Sequence, residues 1–274
     1  MNANALGILA ILAYTASTIG IVRSLRLDYR SSKALSGLRL GILLLAWLAV
    51  ILHAGQVVSS VLADVGLDFG LLNALSLVSW VAVLILLLAA FFKPVDKLGI
   101  VIYPLSALIL TLKLSIPAAS HTLHTHSWPM NAHILSSMLA FSLLNIAAMQ
   151  ALLLAVQDWG LRTHQAASPL IRSLPPLQTM ESLLFQLIAA GFVLLTLSLG
   201  TGFIFLENMF AQHLAHKTVL SILAWVFFAV VLGGRILYGW RGEVAIRWTL
   251  GGFLSLMLAY FGSKMVLEWI LHRS

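Results

Sequence analysis

The chain has 274 residues, 61% of them hydrophobic and only 9% charged, and it contains no cysteine. Soluble domains carry about 25% charged residues, so this chain lacks the polar surface to fold as a water-soluble globule. The missing cysteines exclude disulfides, iron–sulfur clusters, thiolate zinc sites and thiol-relay chemistry.

Apolar runs of about 20 residues, the length that spans a bilayer, recur along the whole sequence. Eight are predicted, over residues 4–23, 36–57, 70–92, 98–116, 131–157, 183–206, 219–238 and 247–270. The expectation is an all-α, polytopic transmembrane helix bundle, a single integral-membrane domain over residues 1–274 with no repeat or linker. The first run, MNANALGILAILAYTASTIGIVR, lacks a basic leading region and an A-x-A cleavage site, so it reads as a retained span. The longest connection covers residues 157–181, where Pro175-Pro176 blocks helix and Thr179 with Glu181 suits the next helix start.

The formal net charge of +7 is distributed by loop. Arg23, Arg26, Arg30, Lys33 and Arg39 precede or open the second run. Lys93 and Lys97, then Arg162 and Arg172, then Arg235, Arg241 and Arg247 occupy every second connection after that. Twelve of the sixteen basic residues thus fall on one side, with Lys113, Lys217, Lys264 and Arg273 on the other side or in outer helix halves. By the positive-inside rule the basic side is cytoplasmic and both termini face the outer (periplasmic) side. The charge therefore marks topology; the partner it implies is a lipid bilayer and no nucleic acid.

On that topology eight of the nine histidines lie on or near the outer face, and only His164 is cytoplasmic. His121, His124 and His126 sit in the loop between the fourth and fifth runs. His213 and His216 precede the seventh run, and His272 follows the eighth. The loop trio matches neither zinc-finger nor HExxH spacing and reads as solvated loop. His53 lies inside AWLAVILHAGQVV, where a polar side chain must find a partner within the bundle. His133 shares a helical face with Ser136, Ser137 and Ala140, at i+3, i+4 and i+7, so it points into the bundle. Ser198, Thr201, Gly202, Gly251, Gly252 and Gly262 read as close helix packing. Neutral imidazole is a common metal ligand and the usual axial ligand of haem iron. His53 and His133 are therefore the candidate metal ligands, and a lysine near the outer ends such as Lys217 is a candidate partner for an anionic group such as a haem propionate. The nine acids are scattered, with no Ser/His/Asp or paired-carboxylate spacing, so the chain is expected not to be an enzyme.

Four stretches, PMNAHILSSMLAFSLLNIAAMQALLL, PPLQTMESLLFQLIAAGFVLLTLSLGTGFIF, HKTVLSILAWVFFAVVL and GWRGEVAIRWTLGGFLSLMLAYFGSKMV, together resemble the cytochrome c assembly family. That family includes the haem-handling CcsA, CcmC and CcmF proteins. The eight runs and GWRG…AYFGS are most similar to its HemX-like branch of bacterial inner-membrane proteins, also called YpjD-type. His133 matches the histidine that opens an outer-entering helix in CcsA-type proteins. Lys217 with SILAW matches the stretch following the family's tryptophan-rich haem cradle, and Tyr260-Phe261-Gly262 matches its last span. The chain also departs from the pattern. ENMFAQHLAH, before Lys217, has no Trp or Asp; the histidine of the seventh span falls on Gly233; the last outer histidine meets Leu271, one place from His272.

The resemblance thus implies haem binding, or a regulatory role in haem biogenesis, more than haem transfer to apocytochrome c. It implies a multi-pass protein of the bacterial inner membrane that acts in cytochrome c assembly or haem biogenesis. The cofactor would be haem b, with His53 and His133 as axial ligands and Lys217 as charge partner. Other cytochrome c or haem-biogenesis proteins would be its partners. Two alternatives stand beside it: a haem-free scaffold regulating a haem-biosynthesis enzyme, and a transporter of a small molecule or metal.

Overall fold

A computed structural model describes residues 2–26, 32–63, 66–68, 71–92, 95–116, 122–123, 128–163, 171, 174–205 and 215–262. Among them the long elements are helices: α1 (Ala3–Arg26), α2 (Ser32–Val61), α3 (Leu71–Ala89), α4 (Gly99–Ser115), α5 (Trp128–Arg162), α6 (Leu177–Phe205), α7 (Ala215–Tyr238) and α8 (Gly242–Met257). A 3-10 turn (Asp96–Leu98) leads into α4, and α8 continues directly into a π-turn, Leu258–Gly262. Helices prevail because lipid offers no hydrogen bonds, so every backbone N–H and C=O must be satisfied within its own segment.

Among the described residues seven helices are long and apolar enough to cross a membrane, from Ala3–Leu25 through His216–Tyr238. The eighth predicted run begins earlier than expected, at Gly242, and is helical to Gly262; its remainder lies outside the described residues. α5, at 35 residues, is about 52 Å long at 1.5 Å per residue and outruns a hydrocarbon core of about 30 Å. The apolar side chains are arranged as lipid demands. On α2, Ala46, Ala49, Val50 and Val57 are buried between helices, while the larger Leu44, Leu48 and Ile51 are exposed on the outside.

The helices gather into two compact units, Met1–His124 with Thr163–Pro175, and Thr125–Arg162 with Pro176–Ser274. In the first, α1 packs on α2 and α4, and α3 packs on α4 and α2. Gly20 permits the close α1–α2 approach, since a Cβ there would lie 2.7 Å from Ile42. One departure from an all-helical chain is a small antiparallel patch. β1 (Leu62–Ala63) pairs with β2 (Gly66–Asp68), Leu62 opposite Leu67, and β2 pairs with β3 (Thr122–Leu123), Leu67 opposite Leu123. These short connections bond to one another because they have no helical partners for their backbone groups.

In the second unit α5 pairs with α6 along most of its length, α8 packs on α7 and α5, and α7 on α6. The start of α6 differs from expectation. The Pro176 carbonyl accepts the N–H groups of Thr179 and Met180 at 2.9 and 3.1 Å, so the helix begins directly after the proline pair. Glu181, freed from that role and buried, accepts the Gly242 N–H at 2.8 Å and places a carboxylate at the positive N-terminus of α8. The intervening GWRG turn needs its glycines: Gly239 and Gly242 have φ of 65° and 52°, where a side chain is strained. Trp240 folds back so that its N–H donates to the Gly234 carbonyl at 3.1 Å. A Cβ on Gly234 would sit 2.3 Å from the Trp240 ring. Gly234→Ala is therefore expected to destabilise by about 1–3 kcal/mol, the usual cost of overpacking. Thermal unfolding in detergent, followed by near-ultraviolet tryptophan dichroism, checks this; an unchanged midpoint and tryptophan signal would contradict it.

Candidate functional site

The strongest constellation in the second unit lies where α5 begins, α6 ends and α7 begins. His133 enters it from the second turn of α5 and is half-buried. Its Nδ1 lies 3.0 Å from the Ser198 carbonyl oxygen on α6 and 3.4 Å from the Thr201 hydroxyl. A backbone carbonyl only accepts, so Nδ1 carries the proton in that bond. In neutral imidazole Nε2 is then left as the bare, lone-pair nitrogen, and it has no hydrogen-bond partner among the described residues.

The expected inward face is present: Ser137 and Ala140 are buried and His133 is half-buried. Ser137 does more than pack. Its hydroxyl donates to the His133 carbonyl at 2.6 Å and meets the Ser198 hydroxyl at 2.5 Å. Ser198 and Thr201, expected as packing residues, thus also serve as hydrogen-bond partners of the His133 face.

Lys217 stands in the first turn of α7, half-buried, with no ion-pair or hydrogen-bond partner among the described residues. About two turns further along α7, the Trp225 indole N–H donates to the Thr196 hydroxyl at 2.9 Å and its ring stacks on Phe192, centroids 5.3 Å apart. This is the tryptophan of the SILAW stretch. Neighbouring His216 is exposed. His121, His124, His126, His164, His213, His272 and Lys264 lie outside the described residues.

His53 belongs to the first unit and is fully buried. Its Nδ1 meets the Tyr14 hydroxyl at 3.2 Å and its Nε2 meets the Ser76 hydroxyl at 3.0 Å, joining α2 to α1 and α3. Tyr14 is itself stacked on Tyr103 of α4, centroids 6.1 Å apart. One turn along α2, Gln56 accepts a hydrogen bond from Lys113 of α4 at 3.1 Å. The requirement for a partner inside the bundle is met, and it is met by hydroxyls on both nitrogens.

Comparison with known proteins defines the family. The profile described as Cytochrome C assembly protein matches residues 38–271. The chain belongs to the cytochrome c assembly protein family. It is 33% identical over 266 residues to the inner membrane protein YpjD of Escherichia coli K12, covering 96% of this chain and 98% of that one. It is 33% identical over 141 residues to an uncharacterized 28.8 kDa protein of Azospirillum brasilense, covering 51% and 52%. The cytochrome c biogenesis protein CcsA of Gloeobacter violaceus is 29% identical over 93 residues, covering 33% of this chain and 28% of its own. No solved structure matches.

Family membership implies involvement of haem, and the donor atoms decide which residues fit it. His133 does. Its Nδ1–H is held by a carbonyl, the usual way a ligating histidine is oriented, and Nε2 is bare. Lys217, with no ion-pair partner among the described residues, offers a cation in the same unit for a carboxylate. His53 does not fit as it stands. Iron would have to displace Tyr14 or Ser76 from a fully buried ring. The expectation of His53 as an axial ligand is therefore not carried forward. Among the described residues no three His, Asp or Glu side chains gather as a metal site.

Proposed function

We propose that this chain is a haem-binding protein of cytochrome c assembly or haem biogenesis that holds the iron through His133 of the second unit. The observation that carries this reading is the His133 Nδ1–H bond to the Ser198 carbonyl, which presents Nε2 as a ligand. Lys217 is the charge partner of a haem carboxylate. The haem assigned to it is b-type; the chain has no cysteine, so thioether attachment is excluded. When bound, haem supplies an iron centre that accepts an imidazole nitrogen. The protein's part is to orient His133, to keep its ring packed between α5 and α6, and to offer a cation where α7 begins.

The location is the inner membrane, as the name of the Escherichia coli relative supports. Both termini face outward, as the loop charges support. The opening of α5 is then on the outer side. Single cysteines in this cysteine-free chain test the orientation. In cells with a permeabilised outer membrane, an impermeant maleimide should label Thr122→Cys and leave Arg30→Cys unlabelled. The reverse pattern would place His133 on the cytoplasmic side.

Haem titration of purified protein in detergent tests the function itself. The expected result is a saturable Soret band at one haem per chain. A chain that binds none acts instead as a haem-free scaffold or a transporter.

A further inference from the structure

The π-turn that ends the described chain has a place in this site. A turn closed by i→i+5 bonds is rare and recurs at functional positions. Here Leu258–Gly262 follows α8 without a break. It carries Tyr260, whose ring packs on Phe141 of α5 with centroids 5.1 Å apart and whose hydroxyl is a hydrogen-bond partner of Ser137. Ser137 spends its proton on the His133 carbonyl at 2.6 Å. The Ser198 hydroxyl must therefore be the donor in the 2.5 Å Ser137–Ser198 contact. Three helical segments meet at one oxygen, the Ser137 hydroxyl, a single helical turn from His133.

The same residue, Ser198, gives its side chain to Ser137 and its carbonyl to His133. The serine pair thus sets the α5–α6 separation at the level of the imidazole. The single proton of the Thr201 hydroxyl is shared between the Leu197 carbonyl at 2.9 Å and the Ser198 carbonyl at 3.0 Å, which adds a second contact to that oxygen from the α6 side. A carbonyl fixed in this way selects the Nδ1–H tautomer; one free to recede would not.

We propose that Ser137, Ser198 and Tyr260 are positioning residues that lock His133 as the Nδ1–H tautomer, with Nε2 bare before any ligand arrives. The value of that lock to iron binding rests on the haem reading above, but the lock itself does not. Outer partners of metal-binding histidines act on affinity by roughly 10–100-fold. Ser137 and Tyr260 act on that partner, the Ser198 carbonyl, and not on the ring itself, so Ser137→Ala or Tyr260→Phe is expected to lower haem affinity by less, about tenfold at most.

The test uses full-length protein, purified without haem in detergent, with histidine labelled by nitrogen-15. Ring-nitrogen resonances report which nitrogen carries the proton, and their loss in His133→Gln assigns those of His133. The wild type should show His133 protonated at Nδ1; a predominantly Nε2–H ring overturns the proposal. Tyr260→Phe and Ser137→Ala, each with wild-type helical content and unfolding midpoint, should raise the Nε2–H fraction. An unchanged tautomer in both variants also overturns it. If either variant unfolds, Ser198→Ala and the wild-type tautomer decide. A wild type with the Nδ1–H ring that takes up no haem leaves the lock standing and removes the haem reading.

Discussion

His133→Ala is expected to lose haem. The side chain is the only imidazole among the described residues whose geometry presents a bare ring nitrogen held by a carbonyl on the other one. Loss of an outer partner of a metal-bound histidine costs roughly 10–100-fold in affinity, so loss of the ligand itself should exceed that. Haem content of the purified variant, compared with wild type at equal protein, should fall by more than about tenfold. The fold should survive, because His133 is half-buried near a helix start and leaves Ser137 and Ser198 bonded to each other. Lys217→Ala should weaken binding less, since an ammonium near water acts as a charge partner worth about 1 kcal/mol or less. A Lys217 variant that loses as much haem as His133→Ala would assign the dominant contact to the lysine.

His53→Ala is expected to fail differently, by loss of stability. Removing the ring leaves the hydroxyls of Tyr14 and Ser76 without partners in positions that exclude water, both residues being fully buried. Each unsatisfied buried group costs about 1–3 kcal/mol, and the vacated volume adds to that. Tyr14→Phe removes one hydrogen bond and keeps the stack on Tyr103, so it should cost less than His53→Ala. Thermal unfolding in detergent orders the two variants. A His53→Ala protein with the wild-type midpoint and no haem would return His53 to the ligand set.

The spans were legible because lipid enforces one local rule, a long apolar helix, and hydropathy reads that rule directly. Boundaries were less legible where a neighbour decides them. α6 starts at Leu177, directly after the proline pair, and not at the Thr179–Glu181 signal, while Glu181 accepts the Gly242 N–H of the α8 terminus 61 residues further on. The inward face of His133 followed from the spacing of Ser136, Ser137 and Ala140 along one helix. The partners of His53 could not follow from any such pattern. They sit on α1 and α3, and only the packing of those helices brings Tyr14 and Ser76 to opposite edges of one ring. The π-turn carrying Tyr260 has no periodic signature at all, although the Tyr-Phe-Gly it contains was visible as a family motif.

The most direct measurement of the central claim is chemical rescue at the iron. His133→Gly opens a space shaped for an imidazole beside the Ser198 carbonyl and leaves the rest of the site intact. Imidazole added to this variant with haem should restore the Soret band of the wild type in a saturable manner, with no such effect on His53→Gly. A wild-type spectrum retained by His133→Gly before any imidazole is added would contradict ligation by His133.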